Sequence, residues 1–188
     1  MTSNIYSQKK YEEYAYVLDF KSRGKSQMIK GREGPIIHAL GEERLTPLEI
    51  LAMKGVNFTQ GERIYIGKEG RTKVISVLGK LSYDDLSDEA INELENIAQK
   101  IIINNETRFI NIFNSLHPLT PRLHSLELIP GIGKTFMNQI IKERGIMPFK
   151  SFDDIQERIG LKDPSKHIAK RIVEELSGSS RINLFVHQ

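Results

Sequence analysis

Leu123-His124-Ser125-Leu126-Glu127-Leu128-Ile129-Pro130-Gly131-Ile132-Gly133-Lys134 is the stretch on which the reading of this chain turns. It reads as a short apolar helix, a Pro-Gly-Ile-Gly turn, and a second helix from Lys134 to Arg144. In that second helix Phe136, Met137, Ile140 and Ile141 form the apolar stripe, and Asn138, Gln139, Lys142 and Glu143 face away. Gly131 and Gly133 let the chain turn sharply and leave backbone N–H groups at a helix N-terminus. Free N–H groups at the positive end of a helix dipole favour an anion. Pro130, Gly131, Ile132, Gly133, Lys134 and Thr135 are therefore candidate phosphate-binding residues, with Lys134 adding a point charge and Ile132 plugging the core below.

Two nucleotide-binding motifs fail on counting. A phosphate loop needs Gly five residues before the Gly of Gly-Lys-Thr, and that position is Leu128. The third Gly of a dinucleotide fingerprint would be Phe136. What remains resembles a helix-hairpin-helix, which holds a nucleic-acid backbone phosphate on its hairpin amides without reading sequence. The plainer alternative is a helical hairpin whose glycines act only as caps.

A degenerate second copy follows. Ser151-Phe152-Asp153-Asp154 caps a helix carrying Ile155 and Ile159, Gly160–Lys166 turns the chain, and His167–Leu176 forms another helix. This turn lacks Gly-x-Gly, but Lys162 and Lys166 are placed to approach a neighbouring phosphate. Upstream, Thr120-Pro121 reads as an N-cap followed by the first helical residue. Tandem hairpins of this kind suit one five-helix unit over residues 120–178.

Further upstream the periodicity is different. Tyr14–Phe20, Pro35–Leu40, Arg63–Ile66 and Lys73–Leu81 are short β-type runs bounded largely by glycine. A charged glycine loop, Lys21–Lys25, follows the first. Thr46-Pro47-Leu48-Glu49 carries the signature of a capping box with proline at the first helical position, predicting one inserted helix over Thr46–Lys54. Four or five strands with one helix suit a small barrel of the oligonucleotide-binding (OB) type; a split sheet or an SH3-like barrel would read almost the same. From Ser87 the spacing of Ala90, Leu94, Ile97 and Ile101 marks an amphipathic helix, and Phe109, Ile110, Phe113 and Leu116 mark a second. Asn104-Asn105 either separates the two or bends one rod. The expected organisation is α+β: a small OB-like β-barrel over 10–82, connecting acidic helices over 83–117, an all-α helix-hairpin-helix domain over 118–178, and a tail over 179–188. The domain boundary is placed near Pro118 or inside the acidic helix.

The total charge of +3 conceals this division. Residues 1–82 carry 14 Lys+Arg against 9 Asp+Glu, residues 83–115 carry 2 against 7, and residues 116–188 carry 11 against 8. Two basic segments flank an acidic one, which suits two polyanion-facing modules. In the barrel, Lys21, Arg23, Lys25, Lys30 and Arg32 are candidate backbone contacts, with Lys68, Arg71 and Lys73 as further cations. Tyr14, Tyr16, Phe20 and Tyr65 are candidate stacking faces or core.

Several function classes are set aside. The chain has no Cys, which removes disulfides, thiol catalysis and thiolate zinc sites. No two of its five His stand at the i, i+4 spacing of a metal helix, and Asp84-Asp85 and Asp153-Asp154 diverge where they open helices. No catalytic residue, metal or cofactor is expected. No apolar run is long enough to span a membrane and no secretory leader is visible, so a cytoplasmic protein is expected.

A resemblance becomes specific when several strings are taken together. They are Gly61-Glu62-Arg63-Ile64-Tyr65-Ile66-Gly67, Glu106-Thr107-Arg108-Phe109, Arg122–Leu128 leading into Pro130–Lys134, and Glu143-Arg144 followed by Pro148-Phe149. Together they resemble the archaeal family of domain of unknown function 655, over most of residues 10–178. The resemblance implies an OB-like barrel followed by a helix-hairpin-helix region and binding of RNA or other nucleic acid. Only the hairpin Pro130–Lys134 maps residue by residue onto a motif of known physical role.

The expected function is nucleic-acid binding without chemistry, with RNA favoured over DNA on the resemblance. The alternatives are a protein-interaction adaptor, which could use the tail Ile182–Val186 as its ligand, and a nucleic-acid-processing enzyme. The same tail is alternatively an extra strand of the barrel.

Overall fold

Residues 11–187 are described by a computed structural model, which combines a curled five-stranded antiparallel sheet with five α-helices. The α+β character expected from the sequence is therefore present. Two compact units are distinguished: one runs to Ile91 and takes in His187, the other is Asn92–Val186. The division falls inside the acidic helix, not at Pro118.

In the first unit the strands are β1 (Tyr14–Lys25), β2 (Glu33–Gly41), β3 (Pro47–Ala52), β4 (Arg63–Tyr65) and β5 (Val74–Lys80). Their order is β4-β1-β2-β3-β5, every ladder antiparallel. Register shifts at Val17/Asp19 and Lys21/Gly24 in β1, and two more between β3 and β5, curl the sheet. Ala15, Val17, Ile37, Ala39, Leu48, Ile50, Ile64 and Val74 fill one core cluster, with Phe20, Phe58 and Val77 at its flank.

Thr46–Lys54 is not a helix; its centre is β3, all six residues buried. A strand buried on both faces shows no alternation, so its short apolar run is indistinguishable by period from a helical turn. The apparent capping Glu serves elsewhere. Glu49, with no solvent exposure, accepts hydrogen bonds from the Gln27 amide (2.7 Å), the Met28 amide (3.2 Å) and the Ser26 hydroxyl. It thereby latches the β1–β2 loop. Lys21, Arg23 and Lys25 lie on β1 itself and not in a loop, since β1 continues to Lys25.

Strands β4 and β5 are the two edges of the sheet, with no ladder joining them among the described residues. One side chain reaches across the gap. The Arg71 guanidinium donates to the carbonyls of Gly67 (2.7 Å), Ile66 (3.0 Å) and Ile75 (3.0 Å), tying the end of β4 to β5.

Helix α1 (Asp88–Asn104) begins in the first unit, where the Ser87 hydroxyl accepts from the Ala90 amide and donates to Asp19 (2.7 Å). Asn105 separates α1 from α2 (Glu106–Ser115), whose Phe109, Ile110 and Phe113 are buried as the spacing predicts.

The second unit continues with a short antiparallel ribbon, β6 (Pro118–Thr120) and β7 (Leu123–His124), then α3 (Lys134–Ile146), α4 (Phe152–Ile159) and α5 (Pro164–Leu176). Two expectations are corrected here. Thr120-Pro121 does not start a helix, and Leu123–Ile129 is a strand end plus a single 3-10 turn, Ser125–Leu128. Pro121 and Pro130 close the segment at both ends, and side chains take its amides: His124 Nδ1 accepts from Leu126, and Glu127 accepts from His124. Residues 120–178 thus hold three α-helices where five were expected. In α3 only Ile140 is buried, while Ile141 is exposed.

The tail adds no strand to the five-stranded sheet. Phe185 and Val186 are buried in the second unit, where the Glu175 carboxylate accepts the amides of Leu184 (2.6 Å), Phe185 (3.1 Å) and Val186 (2.9 Å). Glu175 also pairs at 3.1 Å with Arg171, itself 4% exposed. The Arg171 guanidinium donates further to Leu128 O (3.2 Å), Ser180 Oγ (2.7 Å) and Ile182 O (2.6 Å). No helix among the described residues is long and apolar enough to cross a membrane.

Glu175→Ala leaves three tail amides without their acceptor and the buried Arg171 guanidinium with only the half-exposed Glu174 carboxylate, 3.4 Å away, as its counter-charge. It is expected to lower the unfolding free energy by about 3–5 kcal/mol in urea denaturation. The double change Arg171→Met with Glu175→Leu should recover part of that loss, because no charge is then left unpaired in the interior.

Candidate nucleic-acid interface

Ile129-Pro130-Gly131-Ile132 is a tight turn closed by the Ile132 amide on the Ile129 carbonyl at 3.0 Å. Proline in its second place and a glycine at φ +86° in its third suit a type II turn. Ile132, 4% exposed, seals the core beneath, as its position between two glycines suggests. Gly133 then caps α3, its carbonyl accepting from Met137 at 2.9 Å. No side chain caps this end, and the first amides of an α-helix have no partner within it. Lys134 and Thr135 are exposed beside them, and no acid occupies the first turn.

The two glycines do different work. A Cβ on Gly131 would lie 2.4 Å from His167 Nδ1, and its φ is left-handed. The turn requires glycine there. A Cβ on Gly133 would meet nothing within 4 Å, and its φ of −89° is open to any residue. Neither packing nor backbone geometry demands glycine at position 133.

His167 joins this turn to the second one. Its Nδ1 lies 2.8 Å from the Pro130 carbonyl and its Nε2 3.1 Å from the Lys162 carbonyl. The ring thus brings Lys162 and Lys166, both exposed, beside Pro130–Lys134. The second turn is nevertheless chemically different. Gly160 (φ +73°) and buried Leu161 lead into Asp163, the N-cap of α5, at φ +48°. The Asp163 carboxylate is engaged by Gln99 (3.1 Å) and Ser165 (3.0 Å). No side chain caps α5 either, but a carboxylate at that helix start opposes a second anion, so the two turns differ in charge. One participant was missed at the level of sequence: the role of His167 rests on a contact 37 residues away and has no local signal.

In the first unit the candidate cations separate by surroundings. Arg23, Lys25, Lys30 and Arg32 are exposed on the far end of the β1–β2 hairpin, next to exposed Met28 and Ile29, with Lys25 4.0 Å from Glu33. Lys21 instead lies 3.9 Å from Asp19 and 3.7 Å from Glu89. With Lys25 it borders a cleft of about 490 Å3 that also gathers Asp84, Asp85 and Asp88, a poor place for a phosphate. Lys73 pairs with Glu62 at 3.0 Å, and Arg71 braces the sheet gap. Of the candidate stacking rings, Tyr16 is core at 1% exposure and Phe20 packs edge-on against Phe58. The Tyr14 ring is covered by Arg63 at 3.6 Å and by Tyr65 at 5.4 Å.

His38 stands beside the Glu49 carboxylate that latches the hairpin. His38 Nδ1 accepts the Ser87 amide at 3.1 Å, and Nε2 points at Glu49, 3.6 Å away. Burial lowers the His38 pKa from 6.5, and outweighs the opposing pull of Glu49 and Asp19; Lys21 reinforces the lowering. His124 is lowered in the same sense by burial and by Arg144.

Three comparisons with known proteins agree. The family model described as "Protein of unknown function (DUF655)" matches residues 11–187. An uncharacterized protein of Methanocaldococcus jannaschii, MJ0038, is 40% identical over 172 residues, 92% of this chain and 77% of that protein. The crystal structure of Af1531 from Archaeoglobus fulgidus, assigned to the same family, matches with a TM-score of 0.83. It is 38% identical, over 94% of this chain and 100% of that one.

The unfolded chain binds more protons than the folded one between the lowered native pKa of His38 and 6.5, so His38 lends its full stability above pH 6.5 and loses it as pH falls. Subtracting the pH profile of His38→Gln from that of the parent, both from urea denaturation, should leave a slope confined to the range below 6.5. A flat difference would mean that His38 is not held neutral.

Proposed function

As the chain belongs to the DUF655 family of proteins of unknown function, its activity must be read from its own site, and we propose that it is a non-catalytic nucleic-acid-binding protein. The Pro130–Lys134 turn serves as the hairpin of a helix-hairpin-helix-like clamp, its first helix reduced to one 3-10 turn. The α3 amides take a backbone phosphate, Lys134 supports them, and Lys162 and Lys166 approach the next phosphates. The curled sheet acts as an OB-like barrel whose basic hairpin tip (Arg23, Lys25, Lys30, Arg32) follows the strand further along. RNA is favoured over DNA through the family resemblance.

The observation that carries this reading is Gly133. A glycine that the fold does not need, at an uncapped helix start beside a lysine, keeps the backbone open to close approach by a ligand. A glycine serving only as a cap would be replaceable without functional loss.

Paired substitutions separate the two glycines. Gly131→Ala should destabilise the protein measurably, through its φ and the clash with His167. Gly133→Ala should keep a melting transition within about 1 kcal/mol of the parent while weakening nucleic-acid binding severalfold or more. Equal affinity for both proteins would sink the amide-clamp reading.

Lys134→Glu should weaken binding to single-stranded RNA, double-stranded RNA and DNA about uniformly across sequences, and lower the salt slope by about one unit. A sequence-selective loss would contradict backbone clamping. Flat, weak binding to all three polymers would overturn the function itself. Binding of a protein partner with little salt dependence would then favour an adaptor, and metal-dependent turnover a processing enzyme.

A further inference from the structure

The open gap between β4 and β5 is a groove of about 650 Å3 with mainly apolar walls, within the range of small-molecule sites. Two tyrosines border it. Tyr65 stands edge-on to Tyr14, and its hydroxyl occupies space beside Gly67 that a Cβ would fill, at 2.3 Å. Tyr11 is 61% exposed, with Lys68 Nζ 4.9 Å from its ring centre. Arg71 sits where the gap is bridged. Three of its five N–H groups are spent on carbonyl oxygens, so its orientation is fixed while its charge meets no carboxylate among the described ion pairs. Two N–H groups remain for a ligand. Lys68 and Lys80 are exposed on the same rim.

Glu12, Glu13 and Glu69 also line this groove and keep its net charge low. The Glu12 carboxylate is occupied by the amides of Glu43 and Arg44, both at 2.8 Å. Bulk attraction therefore cannot supply recognition. Planar aromatic rings beside one oriented guanidinium can, and the ligand that combines a flat ring with a phosphate is a nucleotide.

We propose that the groove between β4 and β5 binds one nucleotide, its base against Tyr11 and Tyr65 and its phosphate on Arg71 with Lys68 and Lys80. This rests on the nucleic-acid reading for its preferred source, an unpaired residue of a single strand; a free nucleotide has the same chemistry.

The test uses the full chain with Tyr11→Ala and Lys80→Glu, both exposed positions outside the core. The probes are a ten-residue oligoadenylate, a double-stranded RNA of equal length and adenosine monophosphate. Binding is followed by anisotropy of labelled polymers and, because the chain has no Trp, by quenching of tyrosine emission. Each variant is expected to lose about tenfold in affinity for the single strand while duplex binding stays put. Lys134→Glu, by contrast, should weaken both.

Saturable quenching by adenosine monophosphate that both variants weaken, without polymer binding, would support the groove as a free-nucleotide site and overturn the clamp. Polymer binding unaffected by both variants would overturn the groove and leave the clamp standing. No binding of any probe would overturn both.

Discussion

The buried pair of Arg171 and Glu175 is the constraint on which the second unit depends. Desolvating two charges offsets much of their attraction, so the pair by itself adds little stability. Its contribution is positional. Glu175 gathers three tail amides, and Arg171 holds both the tail and the Leu128 carbonyl, two residues before Pro130. One turn earlier on the same helix, His167 reaches the Pro130 carbonyl. Two side chains at i and i+4 on α5 therefore fix the carbonyls that lead into the glycine turn. The α3 amides are presented from a braced frame, which limits the ordering cost a ligand has to meet.

The same frame makes the two turns unequal. Both have a left-handed glycine, a buried aliphatic plug and a helix start. The first ends on Gly133 and Lys134, and the second on Asp163, whose carboxylate already answers the helix dipole. Sequence similarity between the repeats suggests two phosphate sites, whereas their electrostatics supports one site flanked by lysines. An equivalent distinction applies in the first unit. Lys21 and Arg23 stand two residues apart, but Lys21 is drawn toward Asp19 and Glu89 while Arg23 is exposed.

Legibility in the sequence followed the range of the interaction. Helices α1 to α5 were visible because their apolar period or their caps, such as Ser87 and Ser151, lie within a few residues. Strand β3 was hidden by burial on both faces, which erased alternation and left a fortuitous Thr-Pro-Leu-Glu as the strongest local signal. The 3-10 turn before Pro130 was hidden because its capping pair, His124 and Glu127, is the same signal that opens a longer helix, and Pro130 stops the chain after one turn. At the candidate site the turn and its lysine were plain, but its bracing by His167 and Arg171 comes from 37 and 43 residues away. The bridge that Arg71 makes across the sheet gap depends on an absent ladder, which no pattern of residues announces.

Cations divide by type in a way that bears on what kind of recognition is available. Arg144 donates to the carbonyls of Phe113 and Leu116, Arg158 to those of Glu143 and Met147, and Arg171 to four partners besides Glu175. Arg63 is held by Glu42 at 2.8 Å. These planar forks, the groups best suited to bidentate reading of a base edge, are largely consumed in holding the fold. Lys134, Lys162 and Lys166 remain exposed, and a lysine meets phosphate as a point charge without geometric selectivity. A surface built this way is suited to gripping a backbone and ill suited to reading a sequence. In the proposed clamp, selectivity then comes chiefly from the form of the polymer, because most of the guanidinium groups that could read base edges are committed to the protein, those of Arg23 and Arg32 at the hairpin tip being exposed.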